Sequence, residues 1–361
     1  MSRKLIILQT VLPDYRRPFF EALRNRLTEN FELYGGETYF ETSIKTSSSI
    51  QHTKITNLFL CNRRFLWQKR VLRLATSSGT LVVELNPRIL TNWLLLILRR
   101  FKGRRTIVWG HAWPRKGKDS PTDVLRNWMR LLATEIIVYT NTQRDELSVK
   151  MPNKIIFAAP NSVISKDQME ASSSNSVPKN LIYVGRLTKS KKPLFLVRSF
   201  ANMIHELPME TNLIIVGEGT VKDEIAELIK KKKLSNRIIL AGHINDEQKL
   251  KDLYHTSIFS VSPGYVGLSI IQSFSFGVPM LISRDEPHSP EIEAAVQGEN
   301  AIFYKSDSEE SFRESVREIL NNKESWLKRR HAISHFCAST YSVEKMAAVF
   351  CNLINQKKCN S

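Results

Sequence analysis

Cysteine is scarce in this 361-residue chain, and Cys61, Cys337, Cys351 and Cys359 show neither a CxxC spacing nor partnered histidines. That excludes a zinc ribbon and a disulfide framework and fits a reducing compartment. Long apolar runs are missing too. Residues 89–98, ILTNWLLLIL, fall well short of the roughly 20 apolar residues a membrane-spanning helix needs. The start, MSRKLIILQTVLPDYRR, imitates a signal peptide only loosely: its apolar run is short and ends in Pro-Asp without a small-residue cleavage site. It reads as a first buried strand. Acids are sparse in one region. Residues 1–150 hold 26 Lys/Arg against 12 Asp/Glu, whereas 151–361 hold 27 against 23. Between 51 and 150 only Glu84, Asp119, Asp123, Glu135, Asp145 and Glu146 oppose nineteen bases. So one-sided a field suits an anionic partner: acidic lipid, a phosphorylated acceptor or nucleic acid. Nucleic acid is disfavoured, because the basic clusters contain no stacking motif or recognition element.

What is present is a repeated alternation of short β-branched runs with longer amphipathic ones, in a chain 42% hydrophobic and 24% charged. KLIILQ, FELYGG, TLVVELN, RRTIVWGH, EIIVYT and KIIFAAP read as strands in the first half. NLIYVGR, NLIIVGEG, RIILAGH, IFSVSP, PMLIS and AIFYK do so in the second. Near-continuous apolar strands separated by helices imply parallel sheets covered on both faces. Two such series predict an α/β chain of two doubly wound, Rossmann-like domains. The expected boundaries are residues 1–165, a Ser-rich linker at 166–179, a second domain at 180–335, and a last helix at 336–361 returning to the first. Ligands of such sheets sit beyond the carboxyl ends of the strands, so the expected site is the cleft between the domains.

Several unusual residues follow strands. After NLIYV comes Gly185-Arg186-Leu187-Thr188-Lys189-Ser190-Lys191-Lys192, where a guanidinium and an ammonium can clamp adjacent phosphates. A basic surface loop is the plainer alternative. Residues 263–280, PGYVGLSIIQSFSFGVPM, contain no acid and no histidine. Gly264 and Gly267 bracket a turn, Leu268 onward reads as a helix, and free amides at that helix start can bind an anion without a charged side chain. Ser269 and Gln272 also match a capping box, which would occupy Gln272 locally. His111, after RRTIVWG, can hydrogen-bond a sugar hydroxyl or a phosphate, although lone histidines are commonly structural. Glu291, after PMLIS, can accept from hydroxyl groups or serve a helix dipole.

The ordered set YVGRLTKSKK, LIIVGEG, IILAGHI, VSPGYVGLSIIQSFSFGVPML and PEIEAAVQGENAIFY resembles the retaining nucleotide-sugar glycosyltransferases of family 4. APNSV and the GH of VWGHAW fit the same family, and LPDYRRPFFEAL looks like the opening of its bacterial surface-polysaccharide members. The resemblance implies the GT-B fold, with donor held by the second half and acceptor by the first. It implies that Arg186 and Lys191 bind the donor diphosphate without a metal, and that His111 sits near the donor sugar. Amides of Gly267, Leu268 and Ser269 would hold the distal phosphate, and Gly217, Gly219, Gly242 and Ile244 would wall the base. Family members often carry two glutamates where this chain has Gly264 and Gln272; Gln272 can still meet ribose, but Gly264 cannot replace a carboxylate. LPDYRR also stands in place of a glycine-rich turn, and Tyr15 and Arg16 are expected on the acceptor side, with a solvent-exposed turn arginine as the alternative.

The resulting expectation is a metal-independent, retaining transferase that takes a UDP- or GDP-sugar donor and needs no cofactor. Its acceptor would be a glycan or polyprenyl-diphosphate-linked saccharide of surface polysaccharide synthesis. The location would be cytoplasmic, peripheral at the inner face of the plasma membrane, with Arg63, Arg64, Lys69, Arg70, Arg99, Arg100, Lys102, Arg104 and Arg105 on acidic lipid beside Trp67 and Trp93. A catalytically impaired sugar-nucleotide binder and a sugar-nucleotide epimerase are the alternatives.

Overall fold

The computed structural model describes residues 4–42, 44–114, 117–171, 177–244 and 246–355. The chain divides into two compact units, Met1–Val163 with Ser342–Ser361, and Ile164–Tyr341. Each is a doubly wound α/β layer structure.

The first unit contains strands β1 (Leu5–Gln9), β2 (Phe31–Gly35), β3 (Thr53–Lys54), β4 (Thr56–Leu60), β5 (Phe65–Lys69), β6 (Thr80–Glu84), β7 (Thr106–Trp109), β8 (Glu135–Val138) and β9 (Ile155–Ala158), with helices α1 (Arg17–Leu27), α2 (Leu90–Phe101), α3 (Asp123–Leu132) and α4 (Asn141–Lys150). Seven strands form a parallel sheet in the order β3-β2-β1-β6-β7-β8-β9, while β4 and β5 pair as a separate antiparallel hairpin. Ile7 stands opposite Leu33 on one side and Val82 on the other. These three join the core beneath α1, whereas Ile6, Leu8, Leu81 and Val83 join the core beneath α2 and α3. Because side chains alternate across a strand, helices on both faces require apolar residues at every position, which explains LIIL and TLVV.

The second unit contains β10 (Asn180–Val184), β11 (Leu213–Val216), β12 (Ile238–Gly242), β13 (Ser257–Ser262), β14 (Met280–Ser283) and β15 (Ala301–Tyr304), with α5 (Pro193–Asn202), α6 (Lys222–Lys231), α7 (Glu247–His255), α8 (Ser269–Ser275), α9 (Glu309–Asn321), α10 (Lys323–Lys328) and α11 (Arg330–Thr340). All six strands are parallel, in the order β12-β11-β10-β13-β14-β15. The direction of winding reverses between β10 and β13, which opens a crevice at their carboxyl ends. Helix starts follow local chemistry. Asp246 caps α7 by accepting from the amides of Gln248 and Lys249. Pro193 opens α5, where its missing N–H breaks no helical bond.

The last helix, α12 (Val343–Asn355), belongs to the first unit. Val343, Met346, Ala347, Phe350 and Leu353 form one stripe and are buried with Phe19, Phe20 and Leu23 of α1. The Phe350 ring lies 5.1 Å from Phe19 and 4.9 Å from Trp109, both edge-on. Each large apolar side chain in that stripe contributes about 1.5–3 kcal/mol by leaving water.

The structure departs from sequence expectation in four places. The β4–β5 hairpin and α4 carry weak periodic signals, because β4 is half exposed and α4 buries only Gln143 and Leu147. Residues 166–168 form a capped 3-10 turn rather than open linker, and 172–176 lie outside the described residues. Residues 336–340, expected in the last helix, finish α11 of the second unit. The basic cluster is not uniformly available either. Arg99 is fully buried and donates to Leu74 O, Ser77 O, Gly79 O and Arg105 O, tying off ends of backbone around the sheet. Arg105 is paired with Glu135 at 2.6 Å, and Arg63 lies over the Phe59 ring at 3.7 Å while bonding backbone carbonyls. Trp67 and Trp93 are half-buried.

Candidate functional site

At the winding reversal of the second unit, the loop after β10 and the loop after β13 meet. Lys191 ends a 3-10 turn, Lys189–Lys191, that precedes α5. Its ammonium donates to Tyr265 O at 2.7 Å and lies 3.6 Å from the centroid of the Tyr265 ring. Arg186 reaches the Tyr265 hydroxyl at 3.4 Å. Burial, and then the nearby Arg186 charge, pull the Lys191 ammonium down to about 8, with Glu291 opposing. The neighbouring Lys192 has a different task. Its backbone is left-handed, at φ 52°, and its ammonium pairs with Glu286 at 2.6 Å and Asp307 at 2.7 Å. That anchors the turn and leaves Lys191 at the crevice.

Glycines set the spacing of these loops. A Cβ on Gly264 would lie 2.5 Å from Ser190 O and 2.8 Å from Lys191 Cα. Both are backbone atoms, so no side chain fits there. The position is where the two loops seat on each other, and the carboxylate of the related pattern has no room at Gly264. Gly217, at φ 144°, would put a Cβ 1.9 Å from Gly185 O, and Gly219, at φ 158°, would put one 2.3 Å from Leu187 O. These two glycines support the Arg186 loop from behind: Gly185 N donates to Val216 O at 3.0 Å and Leu187 N to Glu218 O at 2.9 Å. Gly242 follows the same ladder, accepting from Gly217 N at 2.8 Å, and Ile244 is half-buried just beyond it. Gly267 is different. A Cβ there would meet Ser289 Oγ at 3.6 Å and the Lys191 amine at 4.0 Å, ordinary contacts.

Helix α8 begins at Ser269, with Leu268 as its cap and no side-chain cap hydrogen bond. The capping-box reading of Ser269 and Gln272 is therefore overturned, because Ser269 is already helical. The first bond of this turn runs from Ile270 N to Gly267 O, so the amides of Gly267, Leu268 and Ser269 precede the helical ladder. Glu291 is buried in the 3-10 turn Pro290–Ala294 and close enough to Lys191 to act on its charge. His288 laces the loops after β13 and β14: Nδ1 accepts from Val266 N at 2.9 Å, and Nε2 donates to Ser283 O at 2.9 Å. Burial lowers its pKa, which favours the neutral ring this double role requires. Arg186, Lys191, Tyr265, Gly267 and Glu291 thus form one cationic crevice able to hold an anionic ligand.

In the first unit the reversal lies between β1 and β6, and the carboxyl ends of β1, β6, β7 and β8 carry a second polar group. Arg16 is buried rather than solvent-exposed. Its guanidinium lies 5.0 Å from the Trp109 ring and 5.7 Å from the rings of Tyr15 and Tyr139, and it donates to Met346 Sδ at 3.9 Å. Tyr15 is half exposed beside it. His111 is exposed and its ring meets Tyr139 edge-on at 4.8 Å. Glu84, the last residue of β6, accepts from the Thr10 amide. Burial raises its pKa, with the Thr10 hydrogen bonds and Arg16 opposing. Burial and then Glu84 push the Tyr39 phenol up to about 12.

Sequence reasoning missed Tyr265, His288 and Glu84. Tyr265 lies inside the acid-free stretch, yet nothing in its spacing marks a ring beneath a lysine 74 positions earlier. Glu84 offered one signal, a carboxylate ending an otherwise apolar strand in an acid-poor region. Among the described residues no group of three or more His, Cys, Asp or Glu could hold a metal ion.

Two doubly wound units, each with its winding reversal and polar residues at the carboxyl ends of its strands, constitute the GT-B fold. HepE of Anabaena, solved in complex with UDP, matches it over 98% of this chain and 100% of its own, at a TM-score of 0.69 and 11% identity. Residues 165–335, nearly the whole span of the second unit, match the family described as glycosyl transferases group 1. An uncharacterised glycosyltransferase of Methanocaldococcus jannaschii is 31% identical over 122 residues, covering 33% of this chain and 29% of the relative. The Campylobacter jejuni N-acetylgalactosamine-N,N'-diacetylbacillosaminyl-diphospho-undecaprenol 4-alpha-N-acetylgalactosaminyltransferase is 26% identical over 144 residues, covering 40% and 38%. The chain therefore spans well under half the length of these curated relatives.

Proposed function

We propose that this protein is a glycosyltransferase that moves a sugar from a UDP- or GDP-linked donor to a glycan or polyprenyl-diphosphate-linked acceptor of surface polysaccharide synthesis. The observation that carries this reading is the pairing of Arg186 and Lys191 on Tyr265 at the crevice of the second unit. A nucleotide diphosphate leaves with growing negative charge, and two preplaced cations stabilise that charge more in the transition state than in the ground state. Arg186 and Lys191 would be the catalytic residues of this step. The amides of Gly267, Leu268 and Ser269 would hold the distal phosphate, Gln272 the ribose, and Glu291 hydroxyl groups of the donor sugar. Gly217, Gly219 and Gly242 hold the Arg186 loop in place, with Ile244 toward the base.

Retention at the anomeric carbon and independence from metal belong to this reading through the family resemblance. UDP in the HepE complex supports the donor class, and the diphospho-undecaprenol in the Campylobacter enzyme's name supports a lipid-linked acceptor. The first unit would receive the acceptor, with Tyr15 and the aromatic-boxed Arg16 framing it beside Glu84, and His111 facing the donor sugar. The work would be cytoplasmic, at the inner membrane face. An epimerase needs acid/base carboxylates at the donor sugar, and the backbone of Ser190 and Lys191 fills the space at Gly264 where one would stand.

A panel of sugar nucleotides read by mass spectrometry tests the proposal. Wild-type protein is expected to hydrolyse or transfer from one donor, and Arg186→Ala and Lys191→Ala to lose about 10²–10³-fold in kcat. UDP binding without turnover on any donor, with acceptor supplied, would instead establish a sugar-nucleotide binder.

A further inference from the structure

Helix α3 is amphipathic in the wrong sense for a surface helix. Its inward face carries Asp123, Met129 and Arg130, and the buried pair Arg130–Asp123 closes at 2.8 Å with Lys150 joining at 2.8 Å. Its outward face carries Val124, Leu125, Trp128 and Leu131, each about half exposed or more, with Trp128 at 58%. Residues at i, i+1, i+4 and i+7 make one continuous apolar stripe. Neither face gains stability from this arrangement. A buried ion pair loses hydration that its attraction scarcely returns, and an exposed stripe gains nothing until something covers it.

Helix α2 packs beside α3. Lys154 donates to Leu131 O at 3.0 Å, at the end of α3, and Arg100 of α2 lies near enough to lower the Lys154 pKa further once burial has done so. The carboxyl ends of α2 and α3 are therefore neighbours. Phe101, the last residue of α2, is 86% exposed. Around it stand the exposed Arg100, Lys102 and Arg104. Residues 85–118 contain no Asp or Glu, against nine Lys and Arg.

We propose that the outer face of α2 and α3 is a binding surface for an anionic lipid bilayer, with Phe101, Leu125, Trp128 and Leu131 entering the headgroup boundary and Arg100, Lys102 and Arg104 meeting the lipid charge. An apolar stripe with an aromatic ring suits the interfacial layer, and the exposed Arg100, Lys102 and Arg104 beside Phe101 select negative lipid over neutral lipid or an ordinary protein groove. This surface differs from the set expected from sequence, in which Arg99 and Arg105 have structural partners. The inference deepens the lipid-linked acceptor reading, since it would bring the first unit to the layer where such an acceptor lies.

Flotation with vesicles of phosphatidylcholine alone, and of equimolar phosphatidylcholine and phosphatidylglycerol, tests it with the full chain. Wild-type protein is expected to float with the mixed vesicles only, and less so as salt is raised. Trp128→Ser with Phe101→Ser should reduce binding at least about tenfold. Lys102→Gln and Arg104→Gln should each cost about fivefold. Circular dichroism melting of the same variants checks that they remain folded. Equal flotation with neutral vesicles, or binding unchanged by Trp128→Ser with Phe101→Ser, overturns the proposal. So does light scattering in which wild type is dimeric and that double variant monomeric, for then a second copy covers the face. None of these readouts uses turnover. UDP binding retained by variants that no longer float leaves the donor reading intact, and loss of donor activity in the Arg186 and Lys191 variants leaves this surface untouched.

Discussion

Lys191 is held where its charge is costly, and that cost has a direction in pH. An ammonium pulled down to about 8 by burial carries its charge below that pH and loses it above. A bound diphosphate favours the charged form, so above about pH 8 binding must take up a proton. UDP affinity, measured by calorimetry, is expected to fall as pH rises through 8, well above the last phosphate ionisation near about 6. Lys191→Arg keeps its charge throughout and should flatten that dependence; a parallel slope in both proteins would remove Lys191 from the diphosphate site. The same depression works against the empty fold. The cost of the buried charge is fully present below about 8 and fades as pH rises toward the free value of 10.5, so near neutral pH Lys191→Met should raise the melting temperature while abolishing UDP binding. None of this is legible from GRLTKSKK alone. The run presents four lysines and arginines with equal claims, and only the fold sends Lys192 to Glu286 and Asp307 and leaves Lys191 over Tyr265.

Between elements, the decisive distances are those from loop to loop. The carbonyl of Ser190 would stand 2.5 Å from a Cβ at Gly264, whereas nothing closer than 3.6 Å meets one at Gly267. Gly264→Ala should therefore force the two loops apart, lowering stability by about 1–3 kcal/mol and weakening UDP binding. Gly267→Ala should leave stability within about 0.5 kcal/mol. Chemical denaturation of both variants checks the contrast, and equal losses would contradict the close seating of the two loops. The sequence marked both glycines as equivalent brackets of one turn. It also marked Ser269 and Gln272 as a cap, since the spacing permits one, but spacing does not record where the helix starts.

For the molecule as a whole, the chain order and the order of packing differ. Residues 164–341 complete the second unit before the chain supplies α12 to the first. Removing residues 342–361 should strip the cover from Phe19, Phe20 and Trp109, which share a core with Met346, Phe350 and Leu353. The milder Phe350→Ala is expected to cost the first unit about 3–5 kcal/mol. In calorimetry the unfolding transition of that unit should move down, with the transition of the second unit unmoved; a shift of the second alone would be incompatible with the core described. The strand and helix series, the two doubly wound sheets and the polar residues after their strands were determined by the sequence itself. Local periodicity and β-branched runs dictate which elements form, and short connections dictate how they stack. What the tertiary structure alone decided is which charged groups are spent on structure and which remain for a ligand. Arg16 lies in an aromatic box, Arg99 is buried in backbone carbonyls, and α3 turns its apolar face outward. Those outcomes depend on partners far apart in the chain, whose distances no local pattern encodes.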